Sequence, residues 1–100
     1  MVKIRKPWFV YLVRCADGSI YTGISDDVDA RLEKHNKGRG ARYTAQRRPV
    51  SLLHTEKHPD QGSAMRRERQ IKAWAKSRKE ELARAGARRR STPRRRKTAA

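Results

Sequence analysis

Five side chains combine a useful chemistry with a regular spacing: Tyr11 and Tyr21, Arg31 and His35, and Glu68. In VYLVRCADGSIYTGI, Val10 to Ile24, two short apolar runs each carry one tyrosine. Two phenols can hold a small group between them only if they share one face of the ribbon, and the turn decides that. A two-residue loop at Asp17-Gly18 puts the tyrosines on opposite faces, because side chains alternate along a strand. A three-residue loop, Ala16-Asp17-Gly18, with Gly18 left-handed at the end of a type I turn, shifts the register by one and puts both on the same face. Tyr11 then lies opposite Gly23, which leaves open space over it, and diagonal to Tyr21 at about 7 to 8 Å. From the hairpin alone, two ordinary strand tyrosines with hydroxyls at the sheet edge are the simpler reading.

In DDVDARLEKHNKG, helical spacing sets Arg31 and His35 one turn apart, with His35 between Arg31 and the apolar pair Val28 and Leu32. A base and a fixed cation then border the buried stripe, although a solvated basic face has the same spacing. In SAMRRERQIKAWA, Glu68 shares a face with Ala64, Ile71 and Ala75, while Arg66, Arg67, Arg69 and Lys72 spread around the rest. A carboxylate turned toward the body must be paired or hold a cation. A salt bridge, with Arg31 as one candidate partner, and a metal ion are level readings.

The elements that must position these groups follow from local signals. Residues 8 to 15 and 19 to 24, β-branched and aromatic around Asp17-Gly18, predict a hairpin. Asp26 and Asp27 can cap a helix from about Val28 to Asn36 that stops at Gly38. Pro49 opens a third strand, VSLLHTEK, ending near His58-Pro59. Asp60 to Ser63 start a longer helix through MRRERQIKAWAKS, with a further turn in KEELARA before Gly86. The order β-β-α-β-α predicts the α+β class: a small three-stranded antiparallel sheet flanked by helices.

The chain has 100 residues, enough for one modest core, so residues 1 to 85 read as a single domain. With 27 Lys and Arg against 10 Asp and Glu, a net charge of +17, a polyanion is the expected partner, nucleic acid ahead of an anionic membrane. Residues 86 to 100, GARRRSTPRRRKTAA, hold seven of those bases and no acid. With no aliphatic side chain larger than alanine, this tail is expected to be disordered: a phosphate-binding arm in preference to a merely solubilising end. A lone cysteine, Cys15, excludes an internal disulfide, and no His/Cys cluster suggests structural zinc. The apolar run Trp8 to Val13 is too short for a signal peptide or a membrane span, so a cytoplasmic, nucleoid-associated protein is expected.

Taken in order, these residues resemble the GIY-YIG nuclease superfamily, most closely its small stand-alone bacterial members. Phe9-Val10-Tyr11 stands where the first triplet belongs and Tyr21-Thr22-Gly23 where the second does. Arg31 follows Tyr21 by ten residues, His35 comes four later, Tyr43 sits in GARYT and Glu68 in RRERQIK, so the match runs from about residue 8 to 75. The resemblance implies a metal-dependent DNA endonuclease that hydrolyses phosphodiester bonds with a single magnesium or manganese ion, acting on damaged, nicked or branched DNA in repair or recombination. It implies that Glu68 holds the metal, Arg31 neutralises charge on the phosphoryl oxygens and Tyr21 takes the proton of the attacking water. Tyr11 and His35 would arrange that network, with His35 as one outlet for the proton, and Tyr43 would contact the phosphate. DNA would be held by the basic surface and residues 86 to 100.

Several positions depart from the pattern. Ile24 stands where the DNA-repair branch has a lysine after the second triplet, and Glu80 where many members have an asparagine. The zinc module of junction-cleaving relatives cannot be built. Outside the pattern, Cys15 is expected to be a buried packing residue, and His54 and His58 to face solvent. Trp8 and Trp74 read as core or rim residues, with base stacking open to Trp74. The alternative to the enzyme is a non-catalytic nucleic-acid-binding module of the same fold.

Overall fold

The computed structural model describes residues 6–85. Its elements are β1 (Trp8–Arg14), β2 (Ile20–Ser25), α1 (Val28–Asn36), α2 (Arg42–Ala45), β3 (Ser51–His58) and α3 (Gln61–Lys72), followed by a fourth helix, α4, over residues 76–85. The fold is α+β, and the three strands form one antiparallel sheet in the order β2-β1-β3. The expected tail, residues 86–100, lies outside the described residues.

The hairpin forms with the three-residue loop. Gly18 N–H donates to Cys15 O at 2.9 Å, Gly18 takes φ +88°, and Cys15 N–H closes on Ser19 O at 2.8 Å. A left-handed residue at this point is cheap only for glycine. The Asp17 side chain accepts from the N–H and hydroxyl of Ser19, which fixes the turn locally. The register that follows pairs Tyr11 with Gly23 and Val13 with Tyr21.

Helices α1 and α3 start at aspartate caps. Asp27 accepts from Ala30 N–H at 3.1 Å and Asp60 from Ser63 N–H at 2.9 Å. Each satisfies a donor that has no partner within the helix. The chain leaves α1 at Lys37 and reverses at Gly38, φ +81°. Asn36, the last residue of α1, then brackets Val50: its side chain accepts from Val50 N–H at 2.7 Å and donates to Val50 O at 3.0 Å. That bracket ties the end of α1 to the approach of β3.

The central strand β1 is buried on both sides, and its alternation divides the core. Val10 and Leu12 meet Ala64 and Ile71 of α3, with Trp8, Ile20, Ile24, Leu53, Trp74 and Leu82 around them. Tyr11 and Val13 meet Cys15 and Val50, with Val28 and Leu32 of α1 alongside. Full burial of Ile71 contributes about 2 kcal/mol of transfer free energy. Cys15 is a buried packing residue, as expected. A bulge between Leu12 and Val13 puts Leu53 on the same side of the sheet as His54, the partner of Leu12, with Leu52 on the other side.

Three expectations need correction. The connection from α1 to β3 is not plain loop: α2 interrupts it and carries Tyr43 and Thr44. The long final helix ends at Lys72, and α4 is a separate segment, joined to β1 by a bidentate pair in which Arg14 Nη1 and Nη2 each reach Glu80 at 2.6 Å. His54 does not face solvent. It is 3 % exposed and sits 3.1 Å from Glu56, which also takes Arg67 Nε and Nη2 at 2.9 and 3.0 Å. Burial pushes the Glu56 carboxyl up, but Arg67 and His54 overcome this and hold it at about 2. This cluster fastens β3 to α3.

Candidate active site

Tyr11 and Tyr21 share one face, with ring centroids 6.4 Å apart. Gly23 makes this possible. A Cβ at Gly23 would lie 2.5 Å from Tyr11 Oη and 2.6 Å from Cζ, so any side chain there would displace the phenol. The space expected over Tyr11 is therefore filled by the Tyr11 ring itself.

His35 is fully buried and comes from the α1 face next to the sheet. Its Nε2 lies 2.7 Å from Tyr11 Oη, and its Nδ1 lies 2.7 Å from Thr44 Oγ1. The imidazole also packs edge-on against Tyr21, with centroids 5.3 Å apart. Tyr11 thus occupies Nε2, and Tyr21 meets the ring only by edge contact. Gly40 completes the fit, because a Cβ there would overlap the imidazole.

Tyr43 stacks on Tyr21 at 6.0 Å and 25°, and the Arg47 guanidinium sits 3.9 Å from the Tyr43 ring centroid. Tyr43 is the one large apolar-type side chain among the described residues that is 38 % exposed, so this stack opens to solvent. Arg31 is half-buried, and its Nε is buried without a hydrogen-bond partner. A buried guanidinium N–H with unspent donor capacity is suited to an incoming anion.

Glu68 is 18 % exposed and points toward the body, as its helix position predicts. Its ion pair is not with Arg31 but with Lys72, one turn along α3, at 3.4 Å. Lys72 Nζ also lies 5.9 Å from the Tyr21 ring centroid, so the carboxylate and the tyrosine share a cation. The electrostatics of Tyr11 link both sides of the pocket. Burial pushes its phenol up to about 12; the nearby Arg31 guanidinium opposes this, and the charges of Tyr21 and Glu68 add to it. Burial, with Arg31 beside it, lowers the His35 imidazole below its ordinary value of 6.5. With both groups neutral, which of them donates depends on the tautomer of His35.

All six residues singled out in the sequence thus cluster around Tyr11 and Tyr21. Sequence reasoning missed Thr44, Gly40 and Lys72. The glycine in GARYT was the readable signal for close approach, whereas Thr44 and Lys72 act through partners distant in sequence.

A hairpin that presents two phenols, a helix that adds arginine and histidine, and a third element that adds a carboxylate make up the site of a small α+β domain. The chain belongs to the GIY-YIG family: the GIY-YIG catalytic domain matches residues 7–81. The family is one of nucleases that act on DNA. Similar proteins include the UPF0213 protein of Staphylococcus aureus strain N315, 51 % identical over 71 residues that cover 71 % of this chain and 87 % of that one. The UPF0213 protein of strain USA300 matches equally, with 51 % identity over the same shares. The solution NMR structure of a UPF0213 protein from Bacillus halodurans is 42 % identical, with a TM-score of 0.52 over 79 % of this chain and 84 % of that one. No helix among the described residues is long and apolar enough to cross a membrane.

Proposed function

We propose that this protein is a metal-dependent DNA endonuclease that hydrolyses phosphodiester bonds in damaged, nicked or branched DNA, in repair or recombination. One observation carries the reading: the buried Tyr11 and His35 pair stands beside Tyr21 in a pocket that also holds a half-buried arginine and a carboxylate.

Glu68 would hold the metal, and among the described residues no group of three or more His, Cys, Asp or Glu is gathered for one. One carboxylate with water and substrate phosphate in the other positions is the habit of magnesium, and manganese accepts the same donors; zinc and calcium ask for more from the protein. When bound, such an ion polarises a scissile phosphate oxygen and steadies the leaving alkoxide. The chain's own residues do the rest. Arg31 directs its unspent N–H at the phosphoryl oxygens. Tyr21 orients the attacking water and removes its proton, passing it to Tyr11 and on to His35. Tyr43, backed by Arg47, lies against the phosphate at the open side of the pocket. Exposed Lys34, Lys37, Arg39, Arg42 and Arg48 on and after α1 extend the positive surface along which the backbone of DNA would run. Residues 86 to 100 would add a further phosphate-binding arm, and a cytoplasmic, nucleoid-associated location follows.

The second reading, a non-catalytic binding module, draws on the Lys72 ion pair, which already neutralises Glu68. Nicking of plasmid, flap and four-way-junction DNA with and without magnesium separates the two. Magnesium-dependent cuts are expected. Tight binding with no cleavage of any substrate would leave the binding module.

A further inference from the structure

Beyond the six residues clustered around Tyr11 and Tyr21, one buried side chain has no part in the reading above. Thr44 is fully buried in the four-residue helix α2 and makes two hydrogen bonds. Its Oγ1 lies 3.1 Å from Ala41 O, and a carbonyl oxygen can only accept, so the single hydroxyl proton is spent there. Toward His35 Nδ1, at 2.7 Å, the same oxygen can then only accept. Nδ1 must carry the ring proton. Nε2 is left bare, and Tyr11 O–H donates to it across 2.7 Å.

We infer that Thr44 is a positioning residue that sets the tautomer of His35 and so turns the Tyr11 hydroxyl proton inward, leaving the Tyr11 lone pairs to face the pocket. This deepens the nuclease reading and, for its role in turnover, rests on it. The polarity has a mechanical result. A proton arriving at Tyr11 Oη from the pocket side is matched by the departure of Tyr11's own proton to His35 Nε2. Tyr11 stays a neutral phenol and His35 becomes an imidazolium whose Nδ1–H remains bonded to Thr44. The proton returns by the same path to solvent after the product leaves. With the opposite tautomer, Nε2–H would point at Tyr11 and the row could accept nothing. The groups facing His35 are Tyr11 from β1, Tyr21 from β2, Arg31 from its own helix and Thr44 from α2. Among them only Thr44 fixes which nitrogen is protonated, because the phenol can either donate or accept.

The test is histidine 15N NMR of the full chain without metal or DNA, comparing wild type with Thr44→Val, which keeps the shape, and Thr44→Ser, which keeps the hydroxyl. Wild type and Thr44→Ser are expected to show a protonated Nδ1 and a bare Nε2 for His35. Thr44→Val is expected to move the proton partly or wholly to Nε2 while the amide spectrum stays dispersed; if that variant does not fold, Thr44→Ala replaces it. Cleavage should fall about 10- to 100-fold in kcat with KM unchanged, in line with the loss of oriented acid–base catalysis, and Thr44→Ser should restore it. A wild-type His35 protonated on Nε2, or a tautomer indifferent to loss of the hydroxyl, would overturn the inference. Absence of cleavage in wild type with the expected tautomer would count against the nuclease reading and leave the assignment standing.

Discussion

Each face of the sheet buries one histidine, and the two are treated in opposite ways. On the α3 face, His54 sits against Glu56, whose carboxylate is also gripped by Arg67. Opposite charges and donors are matched there, and the cluster holds β3 to the helix. On the α1 face, His35 sits between a phenol and a hydroxyl, both neutral, while Arg31 keeps an unused N–H close by. A satisfied network rigidifies a core; one that keeps an unspent donor near a titratable base can do work on a ligand. The same residue type is thus a fastening on one side and a chemical group on the other.

The strongest way to break this contrast is to remove groups from the candidate active site around His35. Glu68→Gln or Arg31→Ala should reduce magnesium-dependent nicking by at least about 100-fold while gel-shift affinity for DNA changes little. Retained cutting by both variants would remove the mechanism proposed here. At the His54, Glu56 and Arg67 cluster the effect should fall on stability alone. Arg67→Met, which strands the Glu56 carboxylate, should cost about 3 kcal/mol in urea unfolding with cleavage per folded molecule unchanged. Glu56 is held at about 2 in the folded protein against 4.5 unfolded. A depressed carboxyl binds its proton later in the folded state, so this contribution, about 3 kcal/mol, is complete above pH 4.5 and is lost as pH falls toward 2. A wild-type unfolding midpoint that stays flat across that window would sink the assignment.

Smaller changes sharpen the comparison. Gly23→Ala places a methyl within 2.5 Å of Tyr11 Oη, and displacement of the phenol should cost about 1 to 3 kcal/mol and break the bond to His35, read as loss of the Tyr11 hydroxyl proton signal in NMR. Lys72→Ala should have the smallest effect. The i,i+4 pair with Glu68 is worth only about 0.3 to 0.5 kcal/mol, so the magnesium midpoint for cleavage should fall about twofold. An unchanged midpoint would show that Lys72 does not compete for the carboxylate.

Much of the scaffold was legible because its signals are local. The turn at Ala16-Asp17-Gly18, the Asp27 and Asp60 caps and the stop at Gly38 each depend on residues within one turn of one another, and α1 runs from Val28 to Asn36 as its spacing predicts. The break at Lys72 was harder to read. There the Arg14 and Glu80 pair, 66 residues apart, holds the following helix to the sheet. The short helix α2 was missed for a related reason: four residues have too little intrinsic preference, and its position is recorded in the His35 and Thr44 bond.

By itself the sequence determined that one hairpin carries Tyr11 and Tyr21 and which residue types stand on α1 and α3, since turn chemistry and capping act over a few residues; the structure chose between the two turn registers. Only the tertiary structure decided that Tyr11, not Tyr21, hydrogen-bonds His35, that Glu68 pairs with Lys72, and that His54 turns inward to Glu56. Those choices compare hydrogen-bonding partners brought together by packing, across as many as 24 residues of chain, and burial makes an unmatched polar group too costly to leave to chance.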